Sequence, residues 1–186
     1  MRLFVAMEIP SEIRAALTAF VNDLRALAPQ AKWVRASNLH VTLKFLGETD
    51  RARLRQVEAG LAAIRSPEAA TMNFRGLGFF PDERHPRVFW AGMEASPNVA
   101  TLAADIDQAM HRLGFPLEGR AFSAHLTLAR FSPPGLSPKL QAAVQQNQSH
   151  GFGSLTAAEF QLIESKLKPT GAEYTTLKSF PFVSET

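Results

Sequence analysis

The stretch Asn38-Leu39-His40-Val41-Thr42-Leu43-Lys44-Phe45-Leu46-Gly47 sets a histidine and a threonine two residues apart in an apolar, β-prone run. Side chains alternate along a strand, so His40 and Thr42 share one face while Val41 and Leu43 take the other. A strand packed on both faces gains nothing from polar groups at two core positions. The pattern returns at His125-Leu126-Thr127-Leu128. Two such strands side by side would gather two imidazoles and two hydroxyls around one small anion. The pair reads as a site rather than a core.

The flanks support a repeat. The two histidines lie 85 residues apart, and an ungapped slide by that offset also lays Arg2 on Arg87, Phe4 on Phe89 and Ala6 on Ala91. Ser11 then meets Ser96, Leu17 meets Leu102, and Arg35-Ala36 meets Arg120-Ala121. Two copies at so long a period do not make a solenoid. They predict a duplicated unit, residues 1–47 related to 86–132, closing about a pseudo-two-fold axis with the His-x-Thr strands in the middle.

Working outward, residues 3–9 read as a buried strand ended by Pro10, with Ser11 placed to cap the next helix. Ile13, Leu17, Phe20, Val21, Leu24 and Leu27 mark that helix's apolar stripe. A short strand at 32–35 precedes the first signature strand at 39–46, and a helix follows from about Asp50. Residues 72–80 and 87–93 form strands joined through Pro81-Asp82-Glu83-Arg84-His85-Pro86, and a third helix spans about 97–113. The second signature strand at 124–131 stops at Pro133-Pro134, and Ser137-Pro138 opens a short helix. Polar, Gly-containing 145–154 reads as a mobile loop, and 160–166 with 174–182 as a closing hairpin around Pro169-Thr170-Gly171. Without strict βαβ alternation, the expected class is α+β. We expect one two-lobed domain over residues 1–186, of mostly antiparallel sheet with outer helices and the site in a cleft between the lobes.

The 186 residues suffice for a full hydrophobic core, and a net charge of +3 agrees with an anionic substrate without requiring one. With no cysteine, thiol catalysis, disulfides and Cys-ligated metal are excluded. The N-terminal apolar run is too short for a signal peptide and no stretch approaches spanning length, so a cytoplasmic protein without membrane contact is expected.

Two histidines around one phosphorus can divide acid and base duties, since imidazole titrates near neutral pH. Threonine hydroxyls can donate to the non-bridging oxygens. Such a site needs no metal or other cofactor and suits a strained phosphodiester such as a five-membered cyclic phosphate. Phe45 and Arg130 each stand five residues after a histidine. Strict alternation turns both away from the site. If the strands bend there, Arg130 offers a fork for phosphate and Phe45 a surface for a base. His85, His111 and His150 read as exposed or helix-terminal, and Trp33 and Trp90 as core or cleft-wall packing. Lys32, Arg35, Lys44 and Arg120 are candidates for a basic cleft or for solvated surface.

These residues, with Arg2-Leu3-Phe4-Val5-Ala6, Lys32-Trp33-Val34-Arg35, Gly76-Leu77-Gly78-Phe79-Phe80-Pro81, Pro86-Arg87-Val88-Phe89-Trp90-Ala91-Gly92, Glu164-Ser165-Lys166-Leu167 and Tyr174, resemble the 2H phosphoesterases. The resemblance runs over nearly the whole chain and is to the bacterial and archaeal RNA 2′,3′-cyclic phosphodiesterases, also called 2′-5′ RNA ligases. It implies His40 as proton donor to the ribose 3′ oxygen and His125 as proton acceptor from water. It also implies Thr42, Thr127 and Arg130 on the phosphate and Phe45 on the base. The implied substrates are RNA ends, transfer-RNA halves or nucleotides carrying a 2′,3′-cyclic phosphate, opened to a 2′-phosphomonoester by a monomeric enzyme. ATP-independent 2′-5′ joining would place a ribose 5′-hydroxyl where water stands. Two other classes remain: a metallohydrolase ligated by the histidines, which lacks a neighbouring carboxylate ligand, and a non-catalytic RNA-end binder.

Overall fold

The computed structural model describes residues 1–65, 69–132, 136–169 and 171–182. In chain order it runs β1 (Arg2–Glu8), α1 (Ser11–Arg25), β2 (Lys32–Trp33), β3 (His40–Glu48), α2 (Leu54–Ala62), β4 (Ala70–Phe80) and β5 (Val88–Ala95). Then follow α3 (Pro97–Arg112), β6 (His125–Arg130), α4 (Pro138–Gln146), β7 (Gly151–Ala157), β8 (Glu159–Lys168) and β9 (Gly171–Pro181). The strands form one sheet in the order β3-β1-β8-β9 and another in the order β2-β6-β5-β4-β7. Every pairing is antiparallel. The expected α+β class holds.

The apolar patterns place these elements. Leu3 through Met7 are all buried, as a strand flanked by neighbours and covered on both faces must be. Ile13, Leu17, Val21 and Leu24 form the buried stripe of α1, and Val99, Leu102, Ile106 and Met110 that of α3. These residues join Val41, Leu43, Leu126 and Leu128 in one continuous core shared by both sheets. β3 and β6 run close, with Cα atoms within 8 Å although the strands belong to different sheets.

Two details depart from expectation. Ser11 is not the cap of α1: the extended residue before the helix is Pro10, and the ladder begins with Arg14 N–H donating to the Pro10 carbonyl at 2.9 Å. Residues 145–154 are not a mobile loop. α4 continues to Gln146, and β7 pairs along β4 from Ala70↔Ala157 to Arg75↔Gly151. β7 is an edge strand with only Phe152 and Ala157 buried, so its composition is that of a solvated ribbon and resembles a loop's. Ser137 does cap α4, accepting from Leu140 N–H at 3.2 Å. Asp82 closes the β4–β5 turn by accepting from the N–H groups of Arg84 and His85. Pro67, Pro133, Pro134 and Thr170, assigned to boundaries and turns from sequence, lie outside the described residues.

Candidate active site

His40 opens β3 and His125 opens β6. Along β3 the burial alternates from half-buried His40 through buried Val41 and half-buried Thr42 to buried Leu43, and β6 repeats this at His125, Leu126, Thr127 and Leu128. Both His-Thr pairs therefore stand on the face turned away from the core.

Alternation then breaks at the same place in each strand. Ala6 pairs with Thr42 and Val5 with Lys44, so Leu43 is an extra residue between them. Trp90 pairs with Thr127 and Phe89 with Ala129, so Leu128 is extra in the same way. Such a bulge bends the strand and changes which face later side chains take. Two consecutive residues point inward: Leu43 with Lys44, and Leu128 with Ala129. Phe45 and Arg130 then emerge exposed. The Phe4 ring confirms the face, lying 6.3 Å from the His40 ring and 6.0 Å from that of Phe45. The bend that Phe45 and Arg130 require is thus present in both strands.

The His125 imidazole is oriented from behind. His125 Nδ1 lies 2.7 Å from the Ser123 carbonyl, which can only accept. Nδ1 therefore carries the hydrogen, and in the neutral ring Nε2 holds the free lone pair. Asn38 stands in the same relation to His40, two residues before it. The His40 Nδ1 is buried and makes no well-aligned hydrogen bond, though the Asn38 backbone still favours the charged ring. Burial holds the His40 pKa below the ordinary imidazole value; Asn38 and Glu8 oppose that shift, and Arg14 reinforces it. Each histidine also meets a phenylalanine edge-on: Phe4 at His40, and Phe80 at 5.0 Å from His125.

Against this geometry, a family model described as LigT like Phosphoesterase matches residues 7–90 and 93–174. The chain belongs to the LigT-like phosphoesterase family. Among curated relatives, a protein of Methanothermobacter thermautotrophicus named RNA 2′,3′-cyclic phosphodiesterase is 32% identical over 96% of this chain and 97% of its own. One of the same name from Thermus thermophilus is 34% identical over 100% of this chain and 92% of its own. The crystal structure of TT0787 of Thermus thermophilus superposes with a TM-score of 0.80 at 32% identity, covering 98% of each chain. That of E. coli LigT complexed with 3′-AMP gives 0.74 at 28% identity, covering 97% of each.

Among the other sequence candidates of this LigT-like phosphoesterase, Lys44 is neither cleft nor surface. It is 2% exposed, and the bulge directs its ammonium to Asp107 of α3 at 2.5 Å and the Pro116 carbonyl at 2.8 Å. Lys32 sits beside Arg130 in the β2–β6 pairing. Trp33 packs edge-on against Phe89 and donates to the Ala28 carbonyl. Trp90 lies across Gly78, where a Cβ would come within 2.2 Å of the indole, and neighbours Phe80. His85 pairs with Asp82, His111 Nδ1 faces the Phe115 carbonyl, and His150 stacks on Phe20.

Two residues of the site escaped the sequence reading of roles. Tyr174 of β9 places its ring 5.7 Å from His40 and 4.9 Å from Phe4. Glu8 pairs with His40 across β1 and β3, and helps line a groove of about 800 Å³ with Arg14, Thr18 and Asn22. Neither carries a local motif; only strand order brings them here. Among the described residues no cluster of three His, Cys, Asp or Glu could hold a metal ion, and no helix is long and apolar enough to cross a membrane.

Proposed function

We propose that the protein is an RNA 2′,3′-cyclic phosphodiesterase that opens the cyclic phosphate to a 2′-phosphomonoester with its two histidines as acid and base. The observation that carries this is the matched bulge, which lets His40, Thr42 and Phe45 share one face of β3, and His125, Thr127 and Arg130 one face of β6. The names of the relatives support the reaction, and the 3′-AMP and phosphate complexes of E. coli LigT support a nucleotide phosphate as the ligand type.

In this reading, His125 Nε2 removes a proton from water as the oxygen attacks phosphorus in line with the 3′ oxygen. The P–O3′ bond breaks, and Nε2–H of protonated His40 delivers its proton to O3′. The products are a free 3′-hydroxyl and a 2′-phosphate. Thr42 and Thr127 donate to the non-bridging oxygens, where charge accumulates, and Arg130 adds a two-pronged contact. Relief of ring strain supplies driving force, so two proton transfers suffice. Phe45, 59% exposed, is the stacking surface for the terminal base. A ribose 5′-hydroxyl replacing water would give a 2′-5′ linkage by the same transfers.

The test is hydrolysis of an RNA ending in a 2′,3′-cyclic phosphate in excess EDTA, with wild type, His40→Ala and His125→Ala. Wild type should release the 2′-phosphate, and each variant should lose at least about 10²-fold in rate. A 3′-phosphate product, loss of wild-type activity to the chelator, or activity surviving either substitution would overturn the reading. Undiminished binding of the RNA end without turnover would instead make the protein a binder.

A further inference from the structure

The two histidines face different residues across their strand pairs. Glu8 pairs with His40, and Gly92 pairs with His125. In an antiparallel pair, directly opposed side chains share a face and stand about 5 Å apart at Cβ. Gly92 has no room to be anything else, because a Cβ there would come 2.7 Å from the Arg75 carbonyl oxygen. The fold admits a carboxylate beside one histidine and forbids it beside the other.

Glu8 is also held in place. Its N–H donates to Gln161 Oε1 at 3.1 Å, and the Gln161 amide, 3% exposed, donates in turn to Glu159 at 2.9 Å. Its carboxylate accepts from Thr176 Oγ1 at 3.2 Å. We propose that Glu8 is a positioning residue for His40, its carboxylate standing on the same face, as the counter-charge of the imidazolium when His40 serves as the proton donor. This rests on the assignment of His40 as donor under the proposed function. The requirement is physical: an acid set among Phe4, Tyr174 and the strand backbone loses solvation in its charged form, and a nearby anion offsets that loss. The groups facing His40 are Glu8 from β1, Arg14 from α1, Tyr174 from β9 and the Asn38 backbone; of these only Glu8 brings negative charge near neutral pH. His125, the acceptor, needs no such partner.

The experiment compares wild type, Glu8→Gln and Glu8→Asp by two readouts. The first is NMR titration of the imidazole nitrogens in the free enzyme. The second is the pH profile of kcat/KM on the cyclic-phosphate RNA end. In Glu8→Gln, His40 should titrate about half a pH unit lower, the size of a screened charge pair, while His125 stays put. The alkaline limb of the profile, where a catalytic acid is lost, should move down with it, and Glu8→Asp should restore most of both. An unmoved His40 titration, or an alkaline limb that does not follow it, would overturn the proposal. Activity surviving His40→Ala would overturn instead the reading on which it rests, and the NMR shift would still report whether Glu8 acts on His40.

Discussion

At the residue scale, position on the bulged strand decides what a side chain can contribute. Phe45 is exposed, so Phe45→Ala should leave the thermal midpoint unchanged. Loss of one base–aromatic contact should raise KM for an RNA end by about tenfold. A cyclic ribose phosphate without a base should show no such change, and an equal loss on both substrates would remove the stacking role. His40 carries a different signature. Its folded pKa lies below the ordinary value of about 6.5, so between the two the unfolded chain binds more protons. Stability therefore rises with pH through that window and is lost on acidification. The urea midpoint of wild type should fall more than that of His40→Gln between about pH 7.5 and 5.5. Parallel falls would assign the effect to other groups.

At the element scale, most of the architecture was readable because burial follows periodicity. The stripes of α1 and α3, the His-x-Thr strands and the closing hairpin all appear where apolar spacing puts them. What escaped depends on contacts between strands. An edge ribbon such as β7 carries the composition of a loop. A bulge at leucine leaves no local mark, since neither Leu43 nor Leu128 has positive φ or a glycine's freedom. Regular alternation would have turned Lys44 and Ala129 into the site, whereas the bulge buries them and turns out Phe45 and Arg130. The 85-residue offset of the histidines also slips by one at the paired strands: Glu8 corresponds to Gly92 and Ala6 to Trp90. This face assignment is testable by moving a cation one position. Arg130→Lys should lower kcat/KM at least tenfold by losing the two-pronged contact, with little change in stability. Ala129→Lys should cost about 3 kcal/mol or more in urea unfolding by forcing an ammonium into a filled core. A stable Ala129→Lys protein with activity near wild type would contradict the bulge.

At the scale of the whole molecule, β3 and β6 must keep one spacing although no sheet hydrogen bonds join them. The shared core supplies part of that constraint, and the bulge supplies another. By turning Lys44 inward, it sends an ammonium from β3 to Asp107 on α3, the Pro116 carbonyl, and Glu118 at 3.9 Å. Lys44 therefore ties the strand that carries His40 to the helix preceding the strand that carries His125. Arg53 adds a second tie, donating to the Leu113 carbonyl with its guanidinium 4.5 Å above the Phe115 ring. Removing one partner of a buried ion pair leaves an uncompensated charge, whereas replacing both with apolar groups is close to neutral. Asp107→Ala should thus lower stability by about 3 kcal/mol, while Lys44→Met with Asp107→Leu should recover most of it. Activity separates packing from positioning. If the tie sets the spacing of the histidines, the double variant will regain stability yet keep a reduced kcat with an unchanged KM. Full recovery of kcat would assign the spacing to the apolar core and leave Lys44 only the task of satisfying its own charge.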